Sequence, residues 1–214
     1  MDLNPYKKLE QEKEGLTYFL LAGYRTLGNY DCLDHQKLRK GEKWSTSDQL
    51  ILITGGSGFI GSHVVDFLIE KKYNVTIYDL FFPKRRDVKF IKGSILDKKR
   101  LQFALQNIDF VFHLAAVSDI NKVKNFPTKT IETNILGTTY LLEASKYKNI
   151  KRFIFAGSVY SYGVAGNLYT TSKIASELII KNYELLFNQE FTILRYTTAY
   201  GPRSREVDAI SIFV

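Results

Sequence analysis

The chain has 214 residues, enough for one well-buried domain with an appendage. At 45% hydrophobic residues, with one cysteine (Cys32) and three scattered histidines (His35, His63, His113), it reads as globular, without an internal disulfide or a metal cluster, and fits a reducing cytoplasmic setting. The +8 formal charge arises wholly after residue 48, so the excess could meet a phosphorylated ligand or nucleic acid, or could be a solvated basic surface. No compact basic run with interleaved aromatics appears, so no nucleic-acid partner is expected.

Residues 1–48 are polar and form an N-terminal extension of unknown role, with one plausible helix around Pro5 to Gly23. Their apolar patch, "LTYFLLAGY", is too short to span a bilayer, so no membrane partner is expected. From residue 49 to 214 the texture changes. "LILITG", "NVTIYD", "VKFIKG", "DFVFHLAA", "RFIFAGS" and "FTILRY" each read as a buried strand. Helical patterns lie between most of them, at Phe59–Lys71, Lys98–Gln106, Thr128–Lys148 and Tyr169–Phe187. Near-continuous apolar strands alternating with helices imply an α/β fold, a doubly wound parallel sheet of Rossmann type.

The first predicted strand runs straight into "GGSGFIGSHVVDFL". Gly55, Gly58 and Gly61 sit at a strand-to-helix turn, where backbone can approach a pyrophosphate and a helix N-terminus offers free N–H groups. Asp79 ends the second strand, 24 residues beyond Gly55. An acid there accepts hydrogen bonds from an adenosine ribose and repels a 2′-phosphate, which favours NAD over NADP. "KRR" at Lys84–Arg86 is the opposing feature, read here as loop charge.

"LYTTSK" places Tyr169 four residues before Lys173, but the chain has 14 tyrosines and a second such spacing, Tyr147 to Lys151. Spacing alone does not separate them. Together with the glycine turn, "HLAA", "TNILGT", "FIFAGSVYSYG" and "LRYTTAYGPRSR", in this order, the chain resembles the extended short-chain dehydrogenases/reductases, and within them the NAD-dependent epimerase/dehydratase family. The resemblance runs from about Leu50 to Val214 and implies a nucleotide-sugar substrate.

By that resemblance Tyr169 is the catalytic base, Lys173 its activator and nicotinamide-ribose ligand, and Ser158 the group that orients the reacting hydroxyl; Tyr147 and Lys151 are surface residues. An ammonium beside a tyrosine, whose ordinary pKa is near ~10, favours the phenolate. Gly55, Gly58, Phe59, Ile60 and Gly61 would form the turn, with Ser94 and Ile95 near adenine. Leu114, Ala115 and Ala116 would follow the pyrophosphate, and Asn134 would lie toward the nicotinamide. For the apolar members, ordinary core packing is an equal reading. His113 is read as structural, and no metal site is expected.

Family dehydratases carry Thr-Asp-Glu where this chain has Ser158, Val159 and Tyr160, and decarboxylases usually keep a glutamate there. Without the acids, reversible oxidation as in a 4-epimerase or reductase is favoured over elimination. A non-catalytic dinucleotide-binding module or an inactive fragment remains the alternative, with a dehydratase behind it. Thr198 stands where the best-known epimerases have Asn, and Ser118 where they have Lys. Relatives continue into a substrate domain that is largely missing here, and they commonly form homodimers through helices matching Thr128–Lys148 and Tyr169–Phe187.

Overall fold

The computed structural model describes residues 48–162, 167–197 and 199–204. The helix expected around Pro5 to Gly23 lies outside these residues.

Six strands form one parallel sheet: β1 (Leu50–Thr54), β2 (Asn74–Asp79), β3 (Lys89–Lys92), β4 (Phe110–His113), β5 (Arg152–Ser158) and β6 (Phe191–Tyr196). Their order is β3-β2-β1-β4-β5-β6, the Rossmann arrangement that reverses between β1 and β4. The central strands are buried on both faces, which is why they read as continuous apolar runs rather than alternating ones.

The helices are α1 (Phe59–Glu70), α2 (Lys98–Ala104), α3 (Ile120–Asn125), α4 (Pro127–Ile131), α5 (Gly137–Ser145) and α6 (Leu168–Phe187). One face of the sheet packs Leu52, Tyr78, Val111, Phe153 and Phe155 against Leu101 and Leu105 at α2, Leu141 and Leu142 of α5 and Ile180 of α6. On the opposite face Ile51, Ile53, Val75 and Ile77 meet Val65 and Leu68 of α1.

Caps set several helix ends. The Asn167 side chain accepts from Thr170 N to start α6, and Asn188, in the left-handed region at φ 55°, ends it. Asp97 and Asp119 cap α2 and α3 in the same way. The single helix expected over Thr128–Lys148 is instead α4 and α5 joined by a π-helical turn, Glu132–Leu136. No proline or glycine pair marks that turn in sequence; the tertiary bonds at Asn134, described below, account for it. Helix α3 was not expected, because six residues hold too few periods to register.

Candidate functional site

The glycine turn joins β1 to α1 under tight steric limits. Gly55 has φ +75°, and a Cβ there would lie 2.5 Å from Ala115 N. A Cβ on Gly61 would lie 2.1 Å from Gly55 O, so the helix can enter this close to the strand only without one. Gly58 differs: its Cβ would meet nothing nearer than Gly55 O at 3.3 Å and otherwise open space. Packing among the described residues therefore does not explain Gly58, and its open side leaves room for a group to approach the backbone. Gly58 is also the N-cap of α1 and supplies no side-chain cap, and no acid occupies the first turn. The leading N–H groups of α1 and its positive dipole end are thus available to an anion. A pyrophosphate fits this cradle.

Asp79 stands at the rim. Its Oδ2 accepts from Ser57 N at 3.0 Å within the turn, and its Oδ1 from Phe81 N at 3.1 Å. Of the basic loop residues, Arg85 is committed elsewhere, to Asp66 at 3.0 Å and Asp87 at 2.6 Å. Those two carboxylates hold its guanidinium, which leaves Asp79 without that counter-charge and supports the reading of Arg85 as loop charge. Ser94 is fixed through its carbonyl, which accepts from the buried Tyr78 hydroxyl at 2.8 Å. Burial, followed by the charge of Asp97, pushes Tyr78 up to about 12, so this hydroxyl stays a donor. Ile95 is core, 6% exposed, and packs where Gly137 has no side chain. Leu114 and Ala115 also contribute to packing, one on each face of the sheet. Phe59 and Ile60 are half-buried in the first turn of α1, and Phe59 meets His63 edge-on with centroids 5.7 Å apart.

Across the carboxyl end of the sheet lies the second group. Ser158 ends β5, 5% exposed, and its Oγ accepts from Tyr160 N at 3.3 Å. Tyr169 and Lys173 lie one turn apart at the start of α6. Lys173 is 4% exposed, and its ammonium donates to Ala156 O at 2.7 Å and sits 4.6 Å from the Phe155 ring centroid and 5.8 Å from that of Tyr169. Burial lowers it to about 8, against the opposing pull of Glu177. Tyr196, the β6 partner of Ser158, is raised to about 12 by burial, so its hydroxyl stays protonated near neutrality. The second Tyr-x-x-x-Lys separates cleanly: Tyr147 is 82% exposed, and Lys151 pairs with Asp109 at 3.0 Å.

A buried polar network ties the two groups together. The Asn134 carboxamide clasps the chain after β4, accepting from Val117 N at 2.7 Å and donating to Val117 O at 2.9 Å. Its remaining donor goes to Ser172 Oγ at 2.9 Å. The side chain expected near the nicotinamide thus acts first on the cleft wall. In the π turn the Asn134 carbonyl accepts from Thr138 Oγ1 at 2.5 Å and from Ser176 Oγ at 2.9 Å. Because Thr138 donates there, it accepts from His113 Nε2–H at 2.8 Å, and His113 Nδ1 accepts from Thr54 Oγ1 at 2.7 Å. Burial, with help from the Lys173 charge, drives His113 down to about 3, so the imidazole is neutral and structural.

A model of the NAD dependent epimerase/dehydratase family matches residues 51–213. The chain belongs to that family.

Among curated relatives, a putative UDP-glucose 4-epimerase of Methanocaldococcus jannaschii is 35% identical over 191 residues, covering 77% of this chain and 62% of its own. Among solved structures, the UDP-glucose 4-epimerase of Thermotoga maritima with UDP-glucose is 34% identical with TM-score 0.68, covering 74% of this chain and 59% of that one. The UDP-glucose 4-epimerase of Thermus thermophilus in complex with NAD is 28% identical with TM-score 0.69, covering 77% and 61%. A dehydratase and a decarboxylase also occur among the relatives. The chain spans 62%, 47% and 56% of the length of the first three curated relatives it matches.

The sequence pattern does not single out Ser57, Tyr78, Thr138, Ser172 and Ser176, which bond around or behind the two groups. Each is a polar residue inside an apolar strand or helix pattern or a turn, and only its partner across the fold gives it a role. Among the described residues no group of His, Cys, Asp or Glu could hold a metal ion, and no helix is long and apolar enough to cross a membrane.

Proposed function

We propose that the protein is an NAD-dependent epimerase or related oxidoreductase acting on a nucleotide sugar. The observation that supports this reading is that Ser158 ends β5 while Tyr169 and Lys173 open α6, the ammonium 5.8 Å from the Tyr169 ring centroid, and that the same sheet carries an uncapped glycine turn after β1 with Asp79 at the end of β2. Folding alone does not require that set. When bound, NAD would accept a hydride and return it. The residues of this chain would do the rest: the α1 N-terminus binds the pyrophosphate, Asp79 the adenosine ribose, and Ser158 orients the sugar hydroxyl. Tyr169 would remove that hydroxyl's proton, with the Lys173 ammonium stabilising the phenolate, and would return the proton after reduction from the other face of the sugar.

Epimerisation is favoured over dehydration because Val159 and Tyr160 supply no acid beside Ser158. A second copy of the chain is the proposed partner, docking on the α5–α6 side where Leu178 is 55% exposed and Leu185 81%.

The test is turnover with NAD and a panel of nucleotide sugars, on the wild-type chain and on Tyr169→Phe. The expected result is 4-epimer formation that falls by roughly a thousandfold in the variant, within the range of general-base contributions, while NAD affinity stays within about threefold. Undiminished turnover in Tyr169→Phe would remove Tyr169 from the reaction; loss of water from the sugar would replace the epimerase reading with a dehydratase.

A further inference from the structure

Glu177 lies one helical turn beyond Lys173 and two beyond Tyr169, on the same face of α6. It is 4% exposed, and Arg195 of β6 grips its carboxylate at two points: Nη2 to Oε2 at 2.6 Å, and Nε to Oε2 at 3.2 Å and Oε1 at 3.3 Å. The pair lies against the bare Cα of Gly157, the strand residue before Ser158 and the register partner of Arg195. A Cβ on Gly157 would come within 2.9 Å of Glu177 Oε1 and 3.3 Å of Arg195 Cγ. Successive residues of β5 therefore meet successive turns of α6: Ala156 takes the Lys173 ammonium and Gly157 the Glu177 carboxylate, immediately before Ser158.

A buried ion pair is a costly way to join a helix to a sheet, since an apolar pair of similar volume often does as well or better. What an apolar pair cannot supply is a fixed negative charge near another buried cation. The groups around the Lys173 ammonium are Tyr169 and Glu177 of α6, His113 of β4, and Phe155 and the Ala156 carbonyl of β5, with Arg195 of β6 behind Glu177. Of these, Glu177 is the acid that favours the charged amine, and His113 is neutral.

We infer that Glu177, held by Arg195, is a positioning residue for the Tyr169–Lys173 pair: it anchors α6 to β5 beneath Ser158 and keeps the buried Lys173 amine protonated where Tyr169 must give up its proton. This rests on the catalytic reading of Ser158, Tyr169 and Lys173. The experiment does not, because it reads Lys173 itself in the full chain without cofactor or substrate.

Lysine side chains labelled with 13C at Cε are titrated by NMR, with Lys173→Arg identifying the Lys173 signal. The wild-type step is expected near about 8. In Glu177→Gln it moves to lower pH, because a charge that stabilised the ammonium is gone. If Glu177→Gln does not fold, the double variant Glu177→Gln/Arg195→Met, which leaves no unpaired buried charge, is expected to move the step in the same direction. A merely structural role predicts the opposite: a loosened helix admits water, relieves the burial of Lys173 and raises its step toward the free-lysine range near ~10.4. An unchanged or raised step overturns the inference. Failure of the wild-type chain to bind NAD would count against the proposed function and leave this result standing.

Discussion

On the β1–β2 side of the proposed site the surface on offer is backbone: Gly55, Gly58 and the uncapped first turn of α1, with Asp79 at its rim. On the β5–α6 side it is side chains, Ser158, Tyr169 and Lys173, with the Lys173 ammonium held by Ala156 O. The first side needs only that nothing intrude: Gly55 and Gly61 let strand and helix close up, and Gly58 leaves the turn open. The second presents an amine, a phenol and a hydroxyl on α6 and β5, and the start of α6 is tied to the chain after β4 through Asn134, Ser172 and Ser176, with Thr138 and His113 behind them. A turn made of backbone tolerates substitutions that leave its glycines alone; a flank made of side chains depends on the residues packed behind it.

Gly61→Ala should break the first side outright. Its Cβ would fall 2.1 Å from Gly55 O, so the turn must open, and NAD affinity is expected to drop roughly a hundredfold, equivalent to about 3 kcal/mol. Calorimetric titration measures this, and an affinity within threefold of wild type would show that the turn is not the dinucleotide site.

Asn134→Ala sharpens the contrast from the other side. It frees Val117 N and O at once, and unsatisfied buried groups cost roughly 1–3 kcal/mol each. Urea unfolding should show a loss of about 2 kcal/mol, and NAD affinity should fall about tenfold although both Asn134 donors are turned to the protein. A stability loss with unchanged affinity would make the clasp structural only.

Acid should loosen the catalytic flank through His113. Its folded value, about 3, lies below the ordinary 6.5, so between those limits the unfolded chain binds the extra proton. Stability from this group is complete above about pH 6.5 and declines as pH falls toward 3. From pH 7 to 5 the loss is about 2 kcal/mol in the wild type, and it should be absent from His113→Gln, so that it shows in the difference between the two. The smallest effect is expected at Arg85→Ala, where the preference for NAD over NADP should change by less than about twofold, because a partly exposed, already paired arginine contributes little.

The strands, their alternation with helices and the glycine turn could be read in the sequence because each is a local pattern: apolar runs, a strand-turn-helix junction, an acid at the end of the second strand. Tyr169 was separable from Tyr147 only through its place after the strand that ends in Ser158. What held the site together was not legible. Ser172 and Ser176 look like ordinary polar positions on a helix, and Glu177 and Arg195 like surface charges, until β5, β6 and α6 are brought together. The π turn at Asn134 follows from bonds made by His113, Thr138 and Ser176, residues up to 42 positions away, and a local periodicity has no means of recording them.

The most direct test of the central claim is native mass spectrometry of the purified chain, before and after incubation with NAD. The account predicts one dinucleotide per subunit, carried through purification or taken up on addition, and lost in Gly61→Ala. A folded chain that stays empty with NAD in excess would contradict it.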